Sequence, residues 1–299
     1  MKHGPRRPAW LYGLVGAMVL FWSLNFVISK LALRVFPPPL LVCLRTTLAG
    51  LLMAPLYWWD GRAGKHRWHW REAPGLLALG VVGSTVNQMF FVLGIARTSV
   101  AHAAFLIGLS PIIVLLVAGA RGQEHLTARK IAGIVVALCG VVVIQVWRTV
   151  PDQGAGPSIL GDLLIVCSSL AFSFFTVAGK EVTRTHGTIT VNTFAYVGGA
   201  LLLMPYTLWK SASFDYAAVG SAGWAYVIYM ALFPSVVCYL IFYYALSWLP
   251  ASRMSMLNYL QPPMATALSF FLLGEPVTAP MLTGGALVLG GVFLAGRSG

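Results

Sequence analysis

Ten stretches of predominantly apolar residues follow one another along the chain, at roughly 10–30, 38–58, 74–95, 100–120, 129–147, 159–178, 190–209, 222–245, 252–273 and 278–296. Each is close to the length of about 20 residues that carries a helix once across a bilayer. Charged and turn-forming residues collect in the short segments between them. One of these segments, Val150 to Pro157 (VPDQGAGP), gathers Pro, Gly and Asp and reads as a linker after the fifth stretch.

Two of the stretches are copies of one another. Leu246 to Glu275, laid over Ile95 to Glu124 without a gap, places Pro262 on Pro111 and Glu275 on Glu124 at a constant offset of 151. Beyond the linker the copy continues, with Ser173 and Lys180 of FSFFTVAGK matching Ser23 and Lys30 of WSLNFVISK at an offset of 150. The chain is therefore a duplication, with one five-helix repeat in 1–150 and a second in 151–299. Because five is odd, the second repeat enters the membrane from the opposite side to the first. The expected fold is an all-α integral membrane protein of ten transmembrane helices, arranged as two inverted repeats around a central cavity. A site held between inverted halves near the midplane can open to either side in turn, which is transporter geometry.

Composition agrees with a bilayer solvent: 58% of residues are hydrophobic, 9% are charged and the mean hydropathy is +0.80. The net charge of +12 would raise nucleic-acid binding in a soluble chain, but no contiguous basic face accompanies it. Its distribution instead orients the chain. With the N-terminus inside, 14 Lys and Arg residues lie in cytoplasmic segments and 5 in external ones, leaving Arg45 within a span. Both termini are thus expected in the cytoplasm, of a bacterial inner membrane. Lys2, Arg6 and Arg7 ahead of an apolar run look like the start of a signal peptide. The run from Trp10 to Ser29 is too long for that, and reads as the first span. The four cysteines, Cys43, Cys139, Cys167 and Cys238, each fall within a span without metal-ligand spacing and read as buried apolar thiols.

Polar side chains at depth are costly unless they face protein or water, so each marks a candidate site. In the third span Gly80, Ser84, Asn87, Phe91 and Gly94 recur at helical spacing, with Gln88 beside them. In the first, Met18, Trp22, Asn25 and Ser29 share a face. The repeat places Tyr239 on Gln88 and Gln261 on Ser110, so polar groups recur at matched depth in both halves. Trp22, Asn25, Asn87, Gln88, Phe91, Tyr239, Tyr243, Asn258 and Gln261 are the expected substrate-binding set, an aromatic and amide lining suited to a ligand needing both contact area and hydrogen bonds. Interhelical hydrogen bonding and aromatic core packing are the alternative roles for these residues.

Four further residues bear on gating and electrostatics. Arg45 lies about two turns inside the second span, either drawing a substrate carboxylate or snorkelling to the outer surface. His102 sits near the outer end of the fourth span, as a polar residue at the mouth or a proton relay. Pro111 and Pro262 should kink or loosen their helices and serve as flexure points. Every Asp and Glu falls at a span end or in a loop, Asp162 coming closest to entering, so facilitated movement, exchange or coupling through His102 ranks above carboxylate-based proton antiport. The glycines of the tenth span and Gly133-xxx-Ala137 of the fifth favour close helix approach, and a homodimer could use these two helices. A membrane enzyme would need a richer cluster than His66 and His69 in the basic loop 65–71 provide, and a receptor or scaffold would be separated from a carrier by a flux assay.

The sequence resembles the EamA-type branch of the drug/metabolite transporter superfamily. The resemblance rests on WSLNF at 22–26, Pro37 to Pro39 ahead of Arg45, the Ser110-Pro111 and Gln261-Pro262 spans, Gly274-Glu275 and the glycine-rich last helix. It spans nearly the whole chain, and departs at Gln123-Glu124, where the family usually has Gly-Glu. It implies a basket-like bundle around a central cavity, export or exchange of small metabolites such as amino acids, and no covalent cofactor.

Overall fold

An apolar chain in a bilayer satisfies its backbone only by forming helices or a closed barrel, and the ten apolar runs form helices. The computed structural model describes residues 9–62, 68–120, 127–146, 158–248 and 258–296. Its helices are Ala9–Ala32 (α1), Pro38–Arg62 (α2), Trp70–Ile95 (α3), 100–120 (α4), Ala128–Val146 (α5), Ile159–His186 (α6), Thr188–Ser211 (α7), 221–248 (α8), 258–273 (α9) and Ala279–Gly296 (α10). Seven of them are at least 18 residues long and apolar enough to cross a membrane. With α5, α9 and α10 they complete two sets of five, a ten-helix integral membrane fold of inverted repeats around a central cavity. Leu51, Leu163, Leu208 and Phe271 point outward and are more than half exposed, as side chains that meet lipid are.

The relation between the halves is visible where α5 meets α10. Gly133 abuts the backbone of Gly291, and Gly140 that of Gly284. Gly133 and Gly284 are equivalents at the offset of 151, as are Gly140 and Gly291, so each contact maps onto the other when the halves are exchanged. A Cβ on Gly140 would lie 2.6 Å from the Gly284 carbonyl oxygen, and that absence of side chain lets the two backbones touch. Gly133, Gly140, Gly284 and Gly291 are therefore engaged within one chain, whereas Ala286 and Gly290 face outward.

Both repeats also carry a π-helical segment at matching positions, Val81–Val86 in α3 and Ala231–Val237 in α8. A π turn shifts the facing of the residues after it, and here it ends just before Asn87 and Gln88 in one half and Cys238 and Tyr239 in the other. In α8, Pro234 lies inside the segment and lacks the N–H of a regular turn.

The proline spans are broken where the sequence indicates, but as helix starts and not as mid-helix kinks. α4 consists of Val100–Ile107 and Ser110–Ala120 with a turn at Gly108 and Leu109, so Pro111 falls in the first turn of the second piece. α9 has a 3-10 turn, Asn258–Leu260, before the α-helix Gln261–Leu273, with Pro262 again in the first turn. Proline is tolerated there because the first N–H groups of a helix have no internal acceptor. The two breaks meet: a Cβ on Gly108 would stand 3.2 Å from Cγ of Pro262.

α9 ends on Gly274 at φ 68°, a left-handed conformation that glycine adopts without a Cβ penalty. The Gly274 N–H donates to the Phe270 carbonyl and that of Glu275 to Ser269. This reversal carries the Glu275 carboxylate to the start of α4, where it accepts from the Val100 N–H at 3.0 and 3.2 Å. A carboxylate at a helix N-terminus is favoured by the partial positive charge there. The repeat counterpart, Gln123-Glu124, lies outside the described residues.

Candidate functional site: a polar, aromatic-walled cavity

α1, α2, α3, α4, α6, α8 and α9 surround a cavity with about 680 Å³ of empty volume, counting its open mouth. Seven of the nine expected substrate-binding residues line it: Trp22, Asn25, Asn87, Gln88, Phe91, Tyr239 and Gln261. Arg45 lines it as well. Of the remaining two, Tyr243 does not join them. Tyr243 is one turn past Tyr239 and fully buried, its hydroxyl donating to the Phe175 carbonyl at 3.4 Å. It packs behind the wall because α8 turns that face toward α6. Asn258 opens the 3-10 turn of α9, and its side chain lies outside the described residues.

The aromatic wall comes from both repeats. Trp22 meets Phe172 edge to face at 6.0 Å and Tyr239 at 5.9 Å, and Tyr239 in turn meets Tyr196 at 6.0 Å. Edge-to-face contacts align the positive ring edge with a negative ring face, which fixes the rings against each other. The Trp22 Nε1 donates to the carbonyl of Pro234 at 3.2 Å, tying α1 to the π segment of α8.

The polar wall is partly satisfied and partly open. Asn87 Nδ2 donates to the Ser168 carbonyl at 2.8 Å and to its hydroxyl at 3.1 Å, so this amide joins α3 to α6. Gln88 Nε2 reaches the Tyr196 hydroxyl at 3.2 Å. The Asn25 Oδ1, Gln88 Oε1 and Ser169 Oγ atoms are buried without a hydrogen-bond partner.

Arg45 does not snorkel. It is 3% exposed, and its Nη2 donates to Ser235 Oγ at 3.0 Å and to the Met230 carbonyl at 3.4 Å. Pro234 explains that acceptor: having no N–H, it leaves the Met230 carbonyl without its regular helical donor, and the guanidinium and the Ser235 hydroxyl, at 2.8 Å, take the place of that donor. Nε and Nη1 remain without partners. Among the described residues no Asp or Glu lines the cavity.

His102 lies away from the cavity. Its Nδ1 is 3.7 Å from Asp162 Oδ2, while Thr98 donates to Asp162 Oδ1 at 2.5 Å, all three side chains being buried. Asp162 does stand in the first turn of α6, as its position indicates, yet it is 4% exposed because α3 and α4 close over that turn. The cysteines divide differently from expectation: Cys43 and Cys238 are buried, Cys167 is partly exposed and Cys139 faces outward.

Sequence reasoning missed Ser168, Ser169 and Phe172 of α6, which line the cavity beside Ile107, Phe26 and Pro234. The repeat held the signal, since the offset of 150 that pairs Ser23 with Ser173 also pairs Trp22 with Phe172. Among the described residues no group of three His, Cys, Asp or Glu side chains is placed to hold a metal ion.

Ten apolar helices in two inverted sets around a polar cavity define a multi-pass membrane transporter. The chain belongs to the EamA-like transporter family, whose model matches it twice, over residues 9–146 and 159–297. An uncharacterized transporter of Archaeoglobus fulgidus is 31% identical over 93% of this chain and 96% of its own. A probable terminal-alkyne amino-acid exporter of Streptantibioticus cattleyicolor is 26% identical over 93% and 91%. A crystal structure 20% identical in sequence superposes with a TM-score of 0.68 over 97% of both chains, a likeness of fold. The chain is a transporter and not an enzyme.

Proposed function

We propose that the protein is a secondary transporter that exports or exchanges a small amphipathic metabolite, such as an amino acid, by alternating access of its two inverted halves. The observation that carries this reading is the cavity itself, built from residues of both repeats and bordered by the two helix breaks at Pro111 and Pro262. Discontinuous helices at a repeat interface supply backbone groups to a cargo and places for the halves to flex. Among the relatives, one named as a probable amino-acid exporter supports the choice of cargo class. The termini lie in the cytoplasm, by the charge bias, and the membrane is a bacterial inner membrane. A homodimer through α5 and α10 would use their outward apolar faces, around Val135, Ala286, Gly290 and Phe293, since Gly133, Gly140, Gly284 and Gly291 are engaged with each other.

Counterflow in proteoliposomes tests the reading: vesicles loaded with unlabelled amino acids should accumulate external labelled amino acid transiently, and protein-free vesicles should not. Equal uptake by both across amino acids, organic acids, sugars and amines would overturn it.

A further inference from the structure

We infer that Arg45 is the anchor for a carboxylate, and that the cargo is an amphipathic organic acid whose apolar or aromatic body lies against Trp22, Phe172 and Tyr239. The inference rests on the reading of this cavity as the cargo site and deepens it by naming the chemical class.

A guanidinium keeps its charge in a protein, and burial without an opposing charge costs several kcal/mol. Arg45 is buried and has two neutral acceptors, Met230 and Ser235, for one of its nitrogens. Its Nε and Nη1 have no hydrogen-bond partner among the described residues, and each carries an N–H from which a carboxylate oxygen can accept. Among the described residues no acidic side chain lines the cavity to compensate it. The lining is therefore cationic, and an entering carboxylate supplies an opposing charge. A cationic cargo would be repelled.

The rest of the lining fixes the body of the ligand. Trp22, Phe172 and Tyr239 form a continuous aromatic surface with fixed ring angles, which suits an apolar or aromatic group and leaves small hydrated anions without matching contacts. The unpartnered amide oxygens of Asn25 and Gln88 are acceptors, so an ammonium on the same cargo is tolerated as part of a zwitterion.

The test uses the purified full-length protein and three probes that share one aromatic body: 3-phenylpropionate, L-phenylalanine and phenethylamine. Thermal denaturation should shift upward with the two carboxylates and remain unchanged with the amine. In Arg45→Gln the affinity for 3-phenylpropionate should fall about 10- to 100-fold, the range expected for charged hydrogen bonds, and Arg45→Lys should recover part of it. Should Arg45→Gln fail to fold, the ranking of the probes on the wild-type protein and on Arg45→Lys still decides. Stabilisation by phenethylamine equal to that by the acids, a shift that survives Arg45→Gln, no response to either acid, or an equal shift with sodium chloride alone would each overturn the inference. Binding of the acids without flux of any solute would leave this assignment standing and overturn the carrier reading. Flux of amines alone, with no binding of acids, would do the reverse.

Discussion

Tyr239 and Tyr243 are one helical turn apart, and only the first reaches the cavity. The sequence could not separate them, because both are aromatic and on one helical face, whereas packing against α6 encloses Tyr243 and leaves Tyr239 on the cavity wall. Asn87, Gln88 and Gln261 were legible because an amide at mid-depth is costly without a reason. Ser168 and Ser169 were not, since a hydroxyl can donate to its own helix and carry no such signal. Gln261→Ala should weaken cargo binding about tenfold, the cost of one lost hydrogen bond. Tyr243→Phe should instead lower stability by about 1 kcal/mol through loss of the bond to Phe175 and leave affinity unchanged. Thermal melts with and without cargo read both effects, and a Tyr243→Phe variant that loses affinity as Gln261→Ala does would contradict the boundary of the site drawn here.

Most helix limits were legible within about four residues, because apolar runs bounded by charge leave little freedom in a bilayer, but α6 continues past the expected end at 178 to His186. The form of the breaks was not. Proline predicts a disturbance that fits a kink or a helix start, and in the fold both prolines stand at helix starts, with the two breaks side by side. The acidic residue at the exit of the repeated stretch acquired a role only when the left-handed turn at Gly274 was seen to aim it at Val100. Glu275→Gln keeps the shape and removes the charge, so it should destabilise the junction of α4 and α9 by about 0.3–1 kcal/mol and lower the melting temperature. Gly274→Ala should be at least as damaging, because alanine disfavours the positive φ at that position. An unchanged melt for both variants would remove Glu275 from the account.

For the molecule as a whole, the duplication was the most informative feature of the sequence, since five helices per repeat require inversion and a site between inverted halves can open to either side. The reciprocal contacts of Gly133 with Gly291 and Gly140 with Gly284 express the same relation in three dimensions. Topology can be checked independently: alkaline phosphatase fused within 150–157 or 212–220 should be active outside the membrane, and fused within 63–67 or 121–127 inactive. The reverse pattern would invert the orientation while leaving the fold intact. The central claim, that one cavity faces each side in turn, is tested most directly by access to a single cysteine. In a background with Cys43, Cys139, Cys167 and Cys238 replaced, Ser169→Cys places a thiol on the cavity wall. With alternating access, a membrane-impermeant thiol reagent should label it in both right-side-out and inside-out vesicles, and 3-phenylpropionate should slow both reactions. Labelling from one side only, whatever cargo is present, would contradict alternating access.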